Sequence, residues 1–164
     1  MNQKEKIKLA NYVIDLDAKP FVPSGWQLIH HEKSGKWIFD HDELEIFHAV
    51  APKYRHERFY DDEDKWLNMG RMPFNANLAD FFLDHQELIP GPWELYGEVV
   101  FDGTIYLKNM WHCGPDLSHK EERFGPCTCL SGMRFIDGIW KRALLSTRSY
   151  FPETLHCVWR SPIK

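Results

Sequence analysis

The sequence predicts an α+β fold. An antiparallel β-sheet, a meander drawn mainly from the second half of the chain, carries one central helix packed on it, with a short helix at the N-terminus. Three observations predict this. Leu78, Phe81, Phe82, His85, Leu88 and Ile89 fall at i, i+3, i+4, i+7, i+10 and i+11, a single apolar stripe of helical period. Beyond Trp93 the chain turns to short runs rich in β-branched and aromatic residues, separated by turn signals. Aromatic residues make up 15% of the chain, with seven Trp and eleven Phe, enough large side chains for a compact core.

Residues 3–14 set Ile7, Ala10, Val13 and Ile14 at helical spacing between lysines, which reads as a short amphipathic helix or a frayed lead-in. Pro20 and Pro23 then break the chain, so 1–19 reads as an N-terminal extension and 20–164 as a single α+β domain. Trp26, Leu28 and His30 alternate along one run, and Lys36 to Phe39 form a second. Glu32-Lys-Ser-Gly35 between them predicts a hairpin with a four-residue loop. Asp40 with Glu43 imitates a capping box, yet Leu44, Ile46, His48 and Val50 alternate as in a strand, and the strand reading is preferred for 40–51. The acidic run Asp61-Asp-Glu-Asp64 reads as a solvated loop. As a metal site it lacks the ligand spacing of a calcium loop.

The central helix has clear ends. Asn75 or Asn77 supplies the cap, Asp80 in the first turn suits the helix dipole, and Pro90-Gly-Pro92 stops the element. His85 sits on the apolar stripe, where a histidine is more often a satisfied core or boundary residue than a ligand. Residues 97–107 predict either one long strand bulged at Gly103 or a tight hairpin at Asp102-Gly103. Residues 108–125 read as a polar loop. Strands follow at Cys127 to Phe135, Ile139 to Ser146 and Thr154 to Arg160, the first two joined through Asp137-Gly138.

Composition narrows the function. The N-terminus has no uninterrupted apolar core or cleavage site, and no apolar run reaches the roughly 18 residues of a membrane span. A cytoplasmic protein with reduced thiols is expected. The net charge of −4 is unevenly spread. Residues 1–39 carry six Lys/Arg and four Asp/Glu, residues 40–107 five and fifteen, and residues 108–164 nine and five. An acidic centre argues against general nucleic-acid binding. The opposed charges of the last two segments suit pairing within the chain or between copies, so a homo-oligomer is compatible with the pattern.

A resemblance can be placed on particular residues. Pro23-Ser-Gly-Trp26, Ser34-Gly-Lys-Trp-Ile-Phe-Asp40, Phe74-Asn-Ala-Asn-Leu-Ala-Asp-Phe-Phe-Leu-Asp-His-Gln-Glu-Leu-Ile-Pro90 with Trp93, and Gly103-Thr-Ile-Tyr106 occur in this order along the chain. This resembles a family of small bacterial proteins with a "NANxxDFLLxHPELIPxxW…GTIY" motif, over roughly residues 20–160. The helix motif is its most specific part. The chain departs from it in longer loops at 52–66 and 108–125 and in Leu107, where the family often has Arg. The resemblance implies a single domain in a soluble bacterial or phage-borne setting. It carries no activity, cofactor or catalytic residue.

Three kinds of site remain. Cys113, Cys127, Cys129 and Cys157, with His112, His119 and His156 nearby, are candidate zinc ligands, since zinc takes four soft or borderline donors. Cys127 and Cys129, two apart on a strand, face the same side. Buried core thiols are the commoner state of such cysteines, and no cofactor is required by the sequence. His30, His31, His41, His48 and His56 stand among Asp40, Asp42, Glu43, Glu45 and Glu57, the raw material of acid–base catalysis in a small hydrolase or nuclease. The nucleophile elbow, phosphate loop and His-Glu-Xaa-Xaa-His motifs are all missing, so the balance leans away from an enzyme. Finally Arg134, Trp140, Arg142, Arg148 and Trp159 are candidate binding residues, because Arg and Trp anchor protein interfaces. They equally fit an amphipathic sheet, with charges outward and aromatics inward. The preferred expectation is a small binding or regulatory module recognising a protein partner.

Overall fold

The computed structural model describes residues 12–50, 72–112, 123–146 and 154–161. Its strands are β1 (Val13–Asp15), β2 (Gln27–His31), β3 (Lys36–Ile38), β4 (Leu44–Val50), β5 (Met72–Pro73), β6 (Glu98–His112), β7 (Arg123–Ile136), β8 (Ile139–Ser146) and β9 (Thr154–Arg160). One α-helix, α1 (Ala76–Asp84), lies between β5 and β6. The fold is α+β, as the sequence predicts, with the helix central to it.

The main sheet runs β4-β9-β6-β7-β8, with β2 added to β6 and β5 to β9. Strands β6, β7 and β8 form an antiparallel meander. Asp137 and Gly138 at the β7–β8 turn both have positive φ, 54° and 79°, the conformation that joins two strands by the shortest loop without splaying them. Strand β9 then crosses back and inserts between β4 and β6. It pairs antiparallel with β4 throughout and makes one parallel bridge to β6, Cys157 to Val100, so the sheet is mixed.

The expected hairpin at 26–39 does not form. Both strands exist, but β2 pairs with β6, and β3 pairs with β1 in a separate two-stranded sheet. The reason is burial. Trp37 is 2% exposed and faces Ile14 at 5%, so joining β3 to β1 puts a large indole in the core. Residues 13–15 are accordingly strand rather than the end of a helix; residues 1–11 lie outside the described residues. Ile14 and Leu16 belong to the main core, so 12–19 pack on the same body as the residues after Pro20.

The two readings of 40–51 are both realised in sequence. Asp40 caps a 3-10 turn at His41–Glu43, accepting from the Asp42 N–H at 2.9 Å, and β4 comes directly after it. Glu43 does not close a capping box. Its Oε2 accepts from Trp37 Nε1 at 2.7 Å and from Arg160 Nε at 2.8 Å.

The helix is shorter than its apolar stripe. It ends at Asp84, and His85, at φ −133° and ψ 60°, turns the chain into two 3-10 turns, Gln86–Leu88 and Gly91–Leu95. The stripe still faces inward. Leu78, Ala79 and Phe82 are fully buried, and Phe81, Leu88 and Ile89 pack on the same cluster. Asp80 sits beyond the first turn and pairs with Arg142 on β8 instead of serving the helix dipole.

The sheet therefore has a near face under α1 and a far face away from it. Val99, Phe101, Met133, Trp140 and Val158 meet Leu78, Phe82, Phe74 and Trp93 on the near face. Val100, Leu130, Leu145, Cys157 and Trp159 form a second cluster on the far face. Strand β6 is one bulged strand, not a hairpin at Asp102-Gly103. The ladder to β7 jumps from Phe101–Ser131 to Ile105–Leu130, leaving residues 102–104 out of register. It also runs further than expected: 108–112 and 123–125, read as loop, continue β6 and β7.

Candidate functional site

The β6 bulge is a polar junction. Gly103 lies so close to the start of α1 that a Cβ there would stand 3.0 Å from the Phe74 carbonyl oxygen and 3.2 Å from Asn75 Cβ. Its own N–H donates to Phe74 O at 3.1 Å, and its carbonyl accepts from Glu32 N at 2.7 Å. The next residue, Thr104, is fully buried, and its Oγ1 accepts from the Ala76 N–H at 2.9 Å. Asn75, also fully buried, caps the helix through Oδ1, which accepts from Asn77 N at 3.0 Å. Its Nδ2 donates to Leu16 O at 2.8 Å and Glu32 O at 2.7 Å. Asn77 Nδ2 donates to Asp15 O at 3.0 Å and Ala18 O at 2.8 Å. Both asparagines of the Asn-Ala-Asn motif thus tie the helix start to two other segments.

His31 completes the junction, and its tautomer is fixed by its neighbours. Its Nε2 lies 3.2 Å from Leu16 O, which only accepts, and both nearby asparagine amides already donate to better-placed carbonyls. Nε2 therefore carries the proton. Nδ1 is left to accept from the Thr104 hydroxyl at 2.9 Å. Burial holds the His31 pKa below the usual 6.5, and the charges of His30 and Lys33 push the same way. Hydrogen bonds to Leu16 and Ala18 carbonyls oppose them.

Among the described residues the other histidine side chains do not gather round a reacting centre. His41 Nε2 bonds Leu88 O at 2.6 Å, with its ring against Phe39. His30 is exposed beside Glu32 at 3.5 Å. His85 packs between Tyr12 and Phe81, as a boundary histidine should. His56 lies outside the described residues, as does the acidic run 61–64, and of His48 only the backbone is described.

The candidate binding residues divide between the faces. Trp140 and Arg142 are on the near face. Trp140 is 4% exposed, and its backbone N–H and C=O both bond the Gln86 side chain at 3.1 Å. Arg142 holds Asp80 and lies 4.6 Å from the Phe21 ring centroid. Nearby, Tyr106 donates to Phe21 O at 2.8 Å. Burial, and then the Asp80 charge, push its pKa up to about 12, against the opposing pull of Arg142. Arg134 and Trp159 are on the far face. Trp159 is buried and donates to Asp102 Oδ2 in the bulge at 3.1 Å. Arg134 is exposed and pairs with Glu98 at 2.6 Å. Arg148 lies outside the described residues. Strand alternation explains the split, so the five do not make one surface.

The cysteines divide too. Cys127 and Cys129 share the near face with their sulfurs 3.9 Å apart, while Cys157 belongs to the far-face cluster. Cys113 lies outside the described residues. The four-ligand zinc site is thus not assembled by the three described cysteines, and among the described residues no group of three or more His, Cys, Asp or Glu is placed to hold a metal ion. No helix among them is long and apolar enough to cross a membrane.

One surface went unread in the sequence. On the far face, at the end of the β7–β8 hairpin, Ile136 and Ile139 stand directly opposite one another at 38% and 50% exposure. Arg134 and Lys141, the next pair on that face, are exposed behind them. Gly97 O accepts from Phe135 N at 2.8 Å beside the hairpin end, and Leu95, two residues earlier, is 88% exposed. The signal was present in Ile136-Asp-Gly-Ile139, two isoleucines flanking the shortest hairpin turn. No family model, no curated protein and no solved structure matches this chain.

Proposed function

We propose that the chain is a non-enzymatic binding module that recognises a protein partner through the far-face end of the β7–β8 hairpin. The observation that carries this reading is the exposed cross-strand pair Ile136–Ile139. Single exposed aliphatics are ordinary, but two directly opposed ones at a hairpin end form a patch of the kind that partners cover. Arg134 and Lys141 rim the patch, and Glu98 offsets the charge of Arg134, so the patch is apolar with little uncompensated charge beside it. That favours a protein over a nucleic acid, whose binding rests on uncompensated cations and weakens steeply with salt. It also supports a binding role over the hydrolase alternative that both ring nitrogens of His31 and Nε2 of His41 are engaged within the fold.

A photo-crosslinking residue placed at Ile139 in cells tests the proposal, with the same residue at Val13, an equally exposed aliphatic on β1, as control. A discrete adduct with another protein from position 139 alone, unchanged in high salt, is expected. No adduct, or equal adducts from both positions, refutes it. An adduct of the chain with itself would replace it with self-association.

A further inference from the structure

We infer that Cys127 and Cys129 form a two-thiolate site for a soft d10 metal ion, cuprous copper being the ion that suits it. The two sulfurs are 3.9 Å apart at i and i+2 on β7, and both residues are at most 2% exposed. With metal–sulfur bonds of about 2.3 Å, two thiolates on one ion stand about 3.8 Å apart at a tetrahedral angle and about 4.6 Å apart in the linear arrangement of a two-coordinate ion. The observed spacing lies within that range, so closing on a cuprous ion asks the two sulfurs to part by less than about 0.7 Å. A disulfide would need sulfurs about 2.05 Å apart and Cβ atoms about 3.8 Å apart. Residues two apart on a strand sit on Cα atoms about 6.6 Å apart, so bridging by an ion asks far less of the backbone than oxidation does.

The surroundings suit an anionic, water-poor centre. Lys108 is the direct cross-strand partner of Cys127, and directly opposed residues share a face. Its ammonium lies 5.4 Å from the Trp26 ring centroid. Tyr106 is the partner of Cys129 and holds the Phe21 carbonyl. The Phe21-to-Trp26 segment therefore lies over this end of the near face. On binding, two S–H bonds break, two metal–sulfur bonds form, and two protons leave to solvent. The resulting bis-thiolate cuprous centre carries one negative charge, and Lys108 supplies a positive charge on the same face. Zinc would require four donors, whereas thiolates select a soft monovalent ion that is content with fewer.

Anaerobic titration of the full chain with Cu(I), against a chromogenic chelator, tests the inference. The Cys113→Ser/Cys157→Ser variant, which keeps only the proposed pair, is expected to take up one ion per chain with wild-type affinity. X-ray absorption should show sulfur ligation in that variant. Cys127→Ser and Cys129→Ser should each weaken uptake by more than about 100-fold, beyond the loss typical of an outer-shell change, while far-UV circular dichroism stays native. Failure of the Cys113→Ser/Cys157→Ser variant to bind overturns the inference. So does unchanged uptake by a natively folded Cys127→Ser/Cys129→Ser chain.

Discussion

Replacing Thr104 by Val should destabilise the protein through the loss of one oxygen atom. Valine keeps the shape of the side chain at a fully buried position, so packing changes little. What disappears is the acceptor for the Ala76 N–H at 2.9 Å and the donor to His31 Nδ1 at 2.9 Å. The Ala76 amide belongs to the first turn of α1, where no carbonyl of the helix itself is available to it. Leaving a buried donor unmet costs about 1–3 kcal/mol. The partly buried His31 ring loses its donor at Nδ1 as well, which acts in the same direction. For a chain of this size about 1–3 kcal/mol lowers the melting temperature by about 3–10 °C. Urea denaturation of the two proteins gives the free-energy difference directly. Amide hydrogen exchange at Ala76 reports the cause, and its protection should fall by more than that of the helix interior. A Val variant as stable as the parent, with Ala76 protection unchanged, would refute the account of the junction.

Asn75→Asp should cost more than Asn77→Asp, by at least about 1 kcal/mol, because it sets a buried carboxylate against the Leu16 and Glu32 carbonyls. Chemical denaturation of both variants checks the order. His31, whose pKa is held low in the fold, contributes stability that is fully present above 6.5 and is lost as pH falls through its folded value. His31→Gln should therefore flatten the fall in stability below pH 6.5, and an unaltered pH profile would argue against that role. Gly132→Ala would bring a Cβ to 2.7 Å from Leu145 Cδ1 and 2.8 Å from Val99 O. Thermal unfolding should show a loss of about 1–3 kcal/mol.

Features written in local chemistry were legible in the sequence. An asparagine cap at 75 or 77, the Asp137-Gly138 turn and the strand at 139–146 all depend on residues within a turn of one another, and all are found, with Asn75 as the cap. Pairing between distant strands was not legible. Glu32-Lys-Ser-Gly35 has the composition of a hairpin loop, but partner choice was decided by where Trp37 and Ile14 could be buried together. The same holds for the sites. Strand alternation correctly put Cys127 beside Cys129. Nothing local reveals that Trp159 and Cys157 would face the other way, because that depends on how β9 is inserted. The role of Thr104 was hidden for a different reason. A lone threonine after a glycine carries no signal until the bulge brings it under the helix start.

The position of β9 has a consequence for how the chain reaches its native state. The last of the described strands is an interior one, flanked by β4 on one side and by β5 and β6 on the other. Glu43 and Arg160, which bond at the edge of this arrangement, are separated by 117 residues. During synthesis β4 emerges early and must wait, its ladder positions unmatched, until β9 has left the ribosome. The β6–β7–β8 meander, whose pairings are close in sequence, is free to form first. In that interval an open strand edge is displayed, the condition under which nascent chains invite chaperones or mispair with their neighbours.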